Sequence, residues 1–161
     1  MKLPEILSSI WDFIEKRILG RNDIMLDGQL YMRRWRIIHT KWFGLRLHNI
    51  VSSDSDRALH DHPFDFISLI LKGGYVEFTP PRRTGWSSSE AILCQWYGPG
   101  SVIKRKAEDL HRLKLLQEKP AWTLVLRGRM RREWGFVGED GIWIGARGNS
   151  PNVDTNIDLD A

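Results

Sequence analysis

Two histidines separated by one residue, His60 and His62, constrain this chain more than any other feature. In a β-strand, residues two apart lie on the same face with Cα atoms roughly 6.6 Å apart, so both imidazoles can reach one ion at about 2.0–2.1 Å. The competing interpretation is a surface strand that carries two unrelated polar residues. Pro63 follows directly and predicts a bend or a strand end.

The residues after this bend predict a β-hairpin. A largely apolar run over 64–71 ends at Gly73-Gly74, a dipeptide suited to a two-residue turn with positive φ, and a second strand begins at Tyr75. We expect the two strands of this hairpin to pair directly. Glu77 would then face the histidine strand across the hairpin.

A second segment, 100–116, begins with a glycine and carries a single histidine, His111. The two segments together resemble the two sequence motifs of the cupin superfamily, over roughly residues 30–145. This resemblance implies an all-β, single-domain cupin-type barrel (a double-stranded β-helix, or jelly roll). It also implies that His60, His62 and His111 are the three imidazole ligands of one divalent transition metal.

The sequence departs from the family pattern at the fourth ligand, because the usual glutamate falls on Phe66 or Ile67, which cannot bind a metal. The second motif also lacks its Pro-x-Gly, and Leu115 stands where an asparagine is usual. Two carboxylates remain as a fourth ligand or as a base next to the site. We rank Glu77 slightly above Asp65, which needs a bulge at the proline to face inward. Three histidines completed by water rank above both.

The periodicity of the chain predicts one helix followed by many short strands. Apolar residues recur at spacings of three and four over 3–19, which predicts an amphipathic helix, and from Gln29 the period changes to two. Short strands at intervals of eight to twelve residues are typical of a sandwich or barrel. We therefore expect an N-terminal helix over 1–20, a barrel over 21–147 and a polar, acidic, poorly ordered tail over 148–161.

Composition narrows the class of protein. The chain has 161 residues, with 42% hydrophobic and 27% charged residues, as expected of one folded domain. Its single cysteine, Cys94, excludes an intramolecular disulfide, and we predict a buried, inert thiol. Neither a membrane span nor a signal peptide is evident, so we expect a cytoplasmic protein. We also expect at least five of the eight tryptophans to lie in the core.

Basic residues occur in clusters, and the net charge is +4. They are interpreted either as solvated faces, as a surface for nucleic acid, or as inward arginines, such as Arg127 or Arg129, that hold an anionic small substrate. His48 shares its strand parity with Arg46 and so can face the barrel interior. We interpret His48 as a structural histidine.

Three imidazoles suit several metals and reactions. Zinc would support hydrolysis, iron would bind O2 beside a chelating substrate, and nickel or manganese would polarise an enediol. Our first hypothesis is a small metal-dependent enzyme, of non-haem iron dioxygenase type, that acts on a small anionic substrate in the barrel. The alternative is a non-catalytic cupin that binds a small molecule, protein or nucleic acid. A homodimer through the N-terminal helix or a barrel face is compatible with both.

Overall fold

The computed structural model describes residues 20–26, 28–54, 59–81, 91–137 and 141–145, together with Glu5, Ser8, Ser9, Trp11 and Ile14. The described chain is built almost entirely from strands and one short 3-10 turn, Leu116–Glu118. The strands are β1 (Arg21–Leu26), β2 (Gln29–His39), β3 (Gly44–Ile50), β4 (Leu59–His60), β5 (Phe66–Lys72), β6 (Tyr75–Thr79), β7 (Leu93–Tyr97), β8 (Val102–Arg105), β9 (Arg112–Leu115), β10 (Ala121–Arg127), β11 (Gly135–Val137) and β12 (Trp143–Gly145).

These strands form two layers, and every pairing between them is antiparallel. One layer is a six-stranded sheet in the order β1-β2-β3-β10-β5-β8. The other consists of two three-stranded sheets, β12-β11-β4 and β7-β6-β9, which are joined by an antiparallel bridge between His60 and His111. The predicted all-β, double-sheet fold is confirmed.

Alternation of side chains explains how the layers pack. Along β10, Ala121, Thr123 and Val125 are buried, whereas the residues between them are more accessible, as expected of a strand with one face on the core. Apolar side chains of both layers meet between the sheets, where Ile70 and Leu115 are each 1% exposed. The interior of the barrel therefore lies between the six-stranded sheet and the β4 and β9 side.

Gly73-Gly74 connects the two layers, so the predicted hairpin is wrong. β5 pairs with β10 and β8, whereas β6 pairs with β7 and β9. Both glycines have positive φ, and a Cβ at Gly73 would lie 2.4 Å from the carbonyl oxygen of Pro120. Only glycine fits this close crossing between sheets. The sequence signal for a tight turn was correct, but it does not specify which strands pair.

Other predictions about burial also fail. Cys94 is exposed, because β7 is an end strand of its sheet. Four of the described tryptophans are exposed (Trp11, Trp42, Trp96 and Trp143), so five cannot lie in the core. Strand β1 was not predicted because it begins with polar residues, of which Arg21 and Asp23 form an ion pair at 3.0 Å.

The two ends of the chain lie mostly outside the described residues. The helix predicted over 1–20 falls mostly outside the described residues, although Ser8, Ser9 and three neighbouring described positions have helical backbone. It stays a prediction. The predicted tail over 148–161 lies outside the described residues altogether. No helix in the described part of the chain is long and apolar enough to cross a membrane.

Candidate metal centre

His60 and His111 are brought together by the backbone. The His60 amide donates to the His111 carbonyl oxygen and the His111 amide donates to the His60 carbonyl oxygen, each at 2.9 Å. Residues paired in this way across antiparallel strands have their side chains on the same face and close together. Histidines 51 positions apart in sequence are thus fixed as neighbours by two backbone hydrogen bonds.

His62 is held on the same side by its own backbone and by Asp61. The His62 amide donates to the carbonyl oxygen of Ala107 at 2.9 Å. Asp61, between the two histidines, turns the other way: its carboxylate accepts from the Gly135 amide at 2.7 Å and from the Trp143 indole at 2.9 Å, and it pairs with Arg132. Since Asp61 is only 2% exposed, this anchor fixes the alternation that turns both imidazoles inward.

The three imidazoles converge on one point. One ring nitrogen from each of His60, His62 and His111 lies within 4.8 Å of the others. The Nε2 atoms of His62 and His111 are 2.7 Å apart, a distance at which one ring donates a hydrogen bond to the other. A tetrahedral ion with bonds of 2.0–2.1 Å would separate two ligand nitrogens by about 3.4 Å, so small ring movements would admit it.

Electrostatics keeps His62 neutral. Burial, followed by the charges of His111 and His60, lowers the pKa of His62 well below its ordinary 6.5. Metal ligation requires the neutral ring with a free lone pair. The site therefore presents an imidazole that stays available for a cation at neutral pH.

Glu77 orients His111 from behind. Its carboxylate Oε1 lies 2.6 Å from Nδ1 of His111, so Nδ1–H donates to it and Nε2 faces the other imidazoles. Arg105 binds the same carboxylate through two nitrogens, with Nε at 3.1 Å from Oε1. Burial raises the pKa of Glu77, but the hydrogen bond to His111 and the charge of Arg105 outweigh it, so the pKa lies below its ordinary value.

The position of Glu77 follows from strand register. Glu77 on β6 lies opposite Leu113 on β9, and Leu113 shares a face with His111 two residues earlier. The diagonal neighbour across an antiparallel pair is within reach of a long side chain. The carboxylate thus approaches the imidazoles across the β6–β9 pair, not across the predicted hairpin. Asp54 has a comparable place near His60, with Oδ2 at 3.9 Å from Nδ1, and is held by the Leu113 amide at 2.9 Å.

The other carboxylate candidate is occupied elsewhere. Asp65 accepts from Arg131 at 2.7 Å and from the amide of Ala107 at 2.8 Å, and it pairs with Lys106. The Arg131 hydrogen bond lowers the pKa of Asp65 to about 2. The three-histidine group does not include Asp65, which lies in a partly exposed ion-pair network.

Neither of the two arginines singled out for substrate binding lines the cavity described below. Arg127 is buried, but its guanidinium donates to the carbonyl oxygens of Gly128 and Thr40 at 3.0 and 3.2 Å. Arg129 is exposed, 5.9 Å above the Trp42 ring. Their role in substrate binding stays a prediction, and the contacts favour a structural role for Arg127.

A cavity of about 150 Å³ lies beside the imidazoles. Its lining is mostly apolar, with Phe64, Phe66 and Phe136 next to the histidines. Its opposite wall carries three basic side chains that were not predicted as a site: Arg34, Arg46 and His48. Strand parity was the available signal for Arg46, which precedes His48 by two residues. Arg34 joins them through the observed register, in which it lies opposite His48.

Several solved structures have the same double-sheet fold. The chain resembles HppE in its iron(II) form with substrate (TM-score 0.53, 9% identity, 66% of this chain and 55% of that chain). It also resembles the polyketide cyclase RemF from Streptomyces resistomycificus (0.53, 17%, 69% and 75%) and the DMSP lyase DddQ from Ruegeria pomeroyi (0.51, 16%, 70% and 54%). These are cupin-domain proteins, and the chain has their fold.

The likeness is one of fold. No family model matches the sequence, and no curated protein matches it. The matched part spans only 55% of the HppE chain and 54% of the lyase chain. What the three solved proteins bind or catalyse does not carry over at identities of 9–17%.

Proposed function

We propose that this protein is a metal-dependent enzyme of cupin type, in which His60, His62 and His111 hold one divalent transition metal beside a small anionic substrate. The observation that carries the proposal is the convergence of three imidazole nitrogens within 4.8 Å at the edge of a mostly apolar cavity. Three neutral ligands leave coordination positions open for water or substrate.

The supporting residues fit a metal site better than a structural histidine cluster. Glu77 fixes the tautomer of His111 so that Nε2 faces the other rings. His62 is kept neutral. A metal would bind a ring nitrogen of all three imidazoles at once, whereas the hydrogen bond between His62 and His111 joins only two of them.

The reaction class that we propose first is O2-dependent chemistry with non-haem iron. Iron bound by these ligands would supply open positions for O2 and a chelating substrate. The chain itself supplies the aromatic wall of Phe64, Phe66 and Phe136 beside the imidazoles and the basic wall, which would orient an anion. Zinc, manganese and nickel are the other candidate metals, with hydrolysis or isomerisation as the corresponding chemistry.

The test of this proposal combines elemental analysis with O2 consumption. The protein as purified, and after anaerobic loading with iron(II), is expected to hold one metal per chain and to consume O2 when small organic acids are added. A loaded protein without O2 consumption would contradict the dioxygenase class. Hydrolysis or isomerisation by the zinc, manganese or nickel form would replace it.

The alternative is a non-catalytic barrel that binds a small molecule, a protein or nucleic acid, and five of the described arginines give little support to nucleic acid. Arg34, Arg46 and Arg127 are buried, and Arg131 and Arg132 are paired with carboxylates. A dimer through the N-terminal helix or a barrel face and a cytoplasmic location remain parts of the proposal. Light scattering and cell fractionation would test them.

A further inference from the structure

The wall of the cavity opposite the imidazoles carries the guanidinium of Arg34, which forms no ion pair with a carboxylate among the described residues. Arg34 is 6% exposed and lines the cavity, and its Nε has no hydrogen-bond partner among the described residues. A buried charge is costly unless it is paired. Burial, and then the charge of the neighbouring Arg46, lowers the pKa of Arg34 to about 9, so the guanidinium is still protonated at neutral pH.

Other arginines in this fold are neutralised by carboxylates. Arg21, Arg105, Arg131 and Arg132 each form an ion pair with a carboxylate. Within the described part of the chain, Arg34 has no such ion pair. The carboxylate of Glu77 is already bound by Arg105 and His111. The positive charge of Arg34 is thus free to act on something inside the cavity.

The neighbours of Arg34 extend this polar wall. His48 lies opposite Arg34 on β3, and Thr123 lies opposite His48 on β10, so three cavity-lining polar groups form one row across the sheet. Nε2 of His48 is buried and has no hydrogen-bond partner among the described residues. Arg46, in the adjacent row and 2% exposed, adds a second guanidinium, which stacks 5.4 Å above the Phe64 ring.

We propose that Arg34, with Arg46 and His48 beside it, binds the oxyanion head of a small organic acid whose other end faces the three histidines. This rests on the proposed function and names its substrate class. A guanidinium fork matches a carboxylate or a phosphonate, and both are stabilised more strongly in a mostly apolar cavity than in water.

The size of the cavity limits the acid. At about 10–15 Å³ per water-sized group, a cavity of 150 Å³ holds about 10–15 non-hydrogen atoms. Apart from its basic wall, the cavity is mostly apolar, so the body of the acid is expected to be aliphatic or aromatic. Nucleotides exceed this size.

Binding of three matched aromatic probes tests the proposal. Benzoate and phenylphosphonate carry an oxyanion on one ring, and benzamide is the neutral counterpart of benzoate. Affinities are measured by calorimetry on the full chain, as purified and after metal removal with a chelator. Wild type is expected to bind one of the two anions at least tenfold more tightly than benzamide in both states. The tighter anion identifies the head group.

Variants of Arg34 test whether this residue causes the preference for an anion over benzamide. Arg34→Met is expected to reduce the preference for the anion at least tenfold, and Arg34→Lys, which keeps the charge but loses the fork, by less. Arg33→Met is the matched control, since Arg33 precedes Arg34 on β2, bonds Asn49 and does not line the cavity. Metal-free Arg34→Met is expected to melt no lower than wild type, because it loses a buried charge with no carboxylate partner in the described structure.

Four results would overturn the proposal: equal binding of benzamide and the anions, no anion binding at all, an unchanged preference in Arg34→Met, or a large fall in the melting temperature of that variant. The last would assign Arg34 a structural role. Because anion binding is also measured on the metal-free protein, an absence of anion preference can be told apart from an absence of metal binding. A protein that binds the anion but never holds metal would contradict only the latter.

Discussion

Replacing Glu77 by glutamine tests the interaction that holds the His111 imidazole in its orientation. Glutamine keeps the shape of the side chain but removes the charge that accepts from Nδ1 of His111 at 2.6 Å and pairs with Arg105. Its amide must also turn an NH2 group towards one of these two donors. The Nε2 lone pair of His111 would then be held less firmly towards the other rings.

We expect Glu77→Gln to lower both the metal affinity and the stability of the protein. Loss of a carboxylate that orients a ligand histidine typically lowers metal affinity by about 10- to 100-fold. Since Glu77 is 2% exposed and Arg105 would keep a partly buried charge without its partner, we expect the metal-free protein to lose about 3 kcal/mol of unfolding free energy. For a chain of this size that corresponds to a fall in melting temperature of about 6–12 °C.

Chelator competition and thermal unfolding would measure both effects. Asp65→Asn is the matched control, because Asp65 is paired with Arg131 and Lys106 away from the imidazoles and should leave metal affinity within about twofold. If Glu77→Gln keeps wild-type metal affinity and melting temperature, the assigned role of Glu77 is incorrect. If Asp65→Asn weakens metal binding tenfold instead, the carboxylate beside the metal has been misidentified.

Two further predictions concern stability. Burial, and then the charges of Arg34 and Arg46, lowers the pKa of His48 well below its ordinary 6.5, so the unfolded chain binds a proton there before the native chain does. The unfolding free energy of the metal-free protein, measured by urea unfolding, should therefore fall as pH drops below 6.5. In His48→Gln, the slope of unfolding free energy against pH should be smaller by up to about 1.4 kcal/mol per pH unit. An unchanged slope would exclude this contribution of His48. Asp61→Asn should cost about 2–3 kcal/mol in the same assay, because the buried carboxylate accepts from Gly135 and Trp143 and pairs with Arg132; a loss below about 0.5 kcal/mol would contradict its role as an anchor.

The sequence is most informative where chemistry and strand period agree. His60 and His62 share a face because strands have a period of two, and the resemblance to cupins supplied His111. The fold class followed from many short strands between turn residues. These signals are local, or depend on one motif pair, and the structure brings the same three residues together.

The sequence does not predict which distant strands pair with one another. Gly73-Gly74 reads as a hairpin, but whether a tight turn stays in one sheet or crosses to the next depends on the packing of both layers. Glu77 was singled out for a contact across that hairpin, and it reaches His111 by way of β9 instead. The burial of Arg34 was not predicted either, because arginine usually faces solvent and Arg34 belongs to a basic cluster that suits a solvated face, although it lines the interior.

The central claim is that His60, His62 and His111 bind one divalent transition metal. Metal content per chain, measured by elemental analysis on wild type and on His62→Ala after identical loading and desalting, tests it most directly. We expect about one metal per chain in wild type and a sharp loss in His62→Ala, with both proteins folded by circular dichroism. Equal metal content in the two proteins, or a wild type that retains none, would contradict the claim.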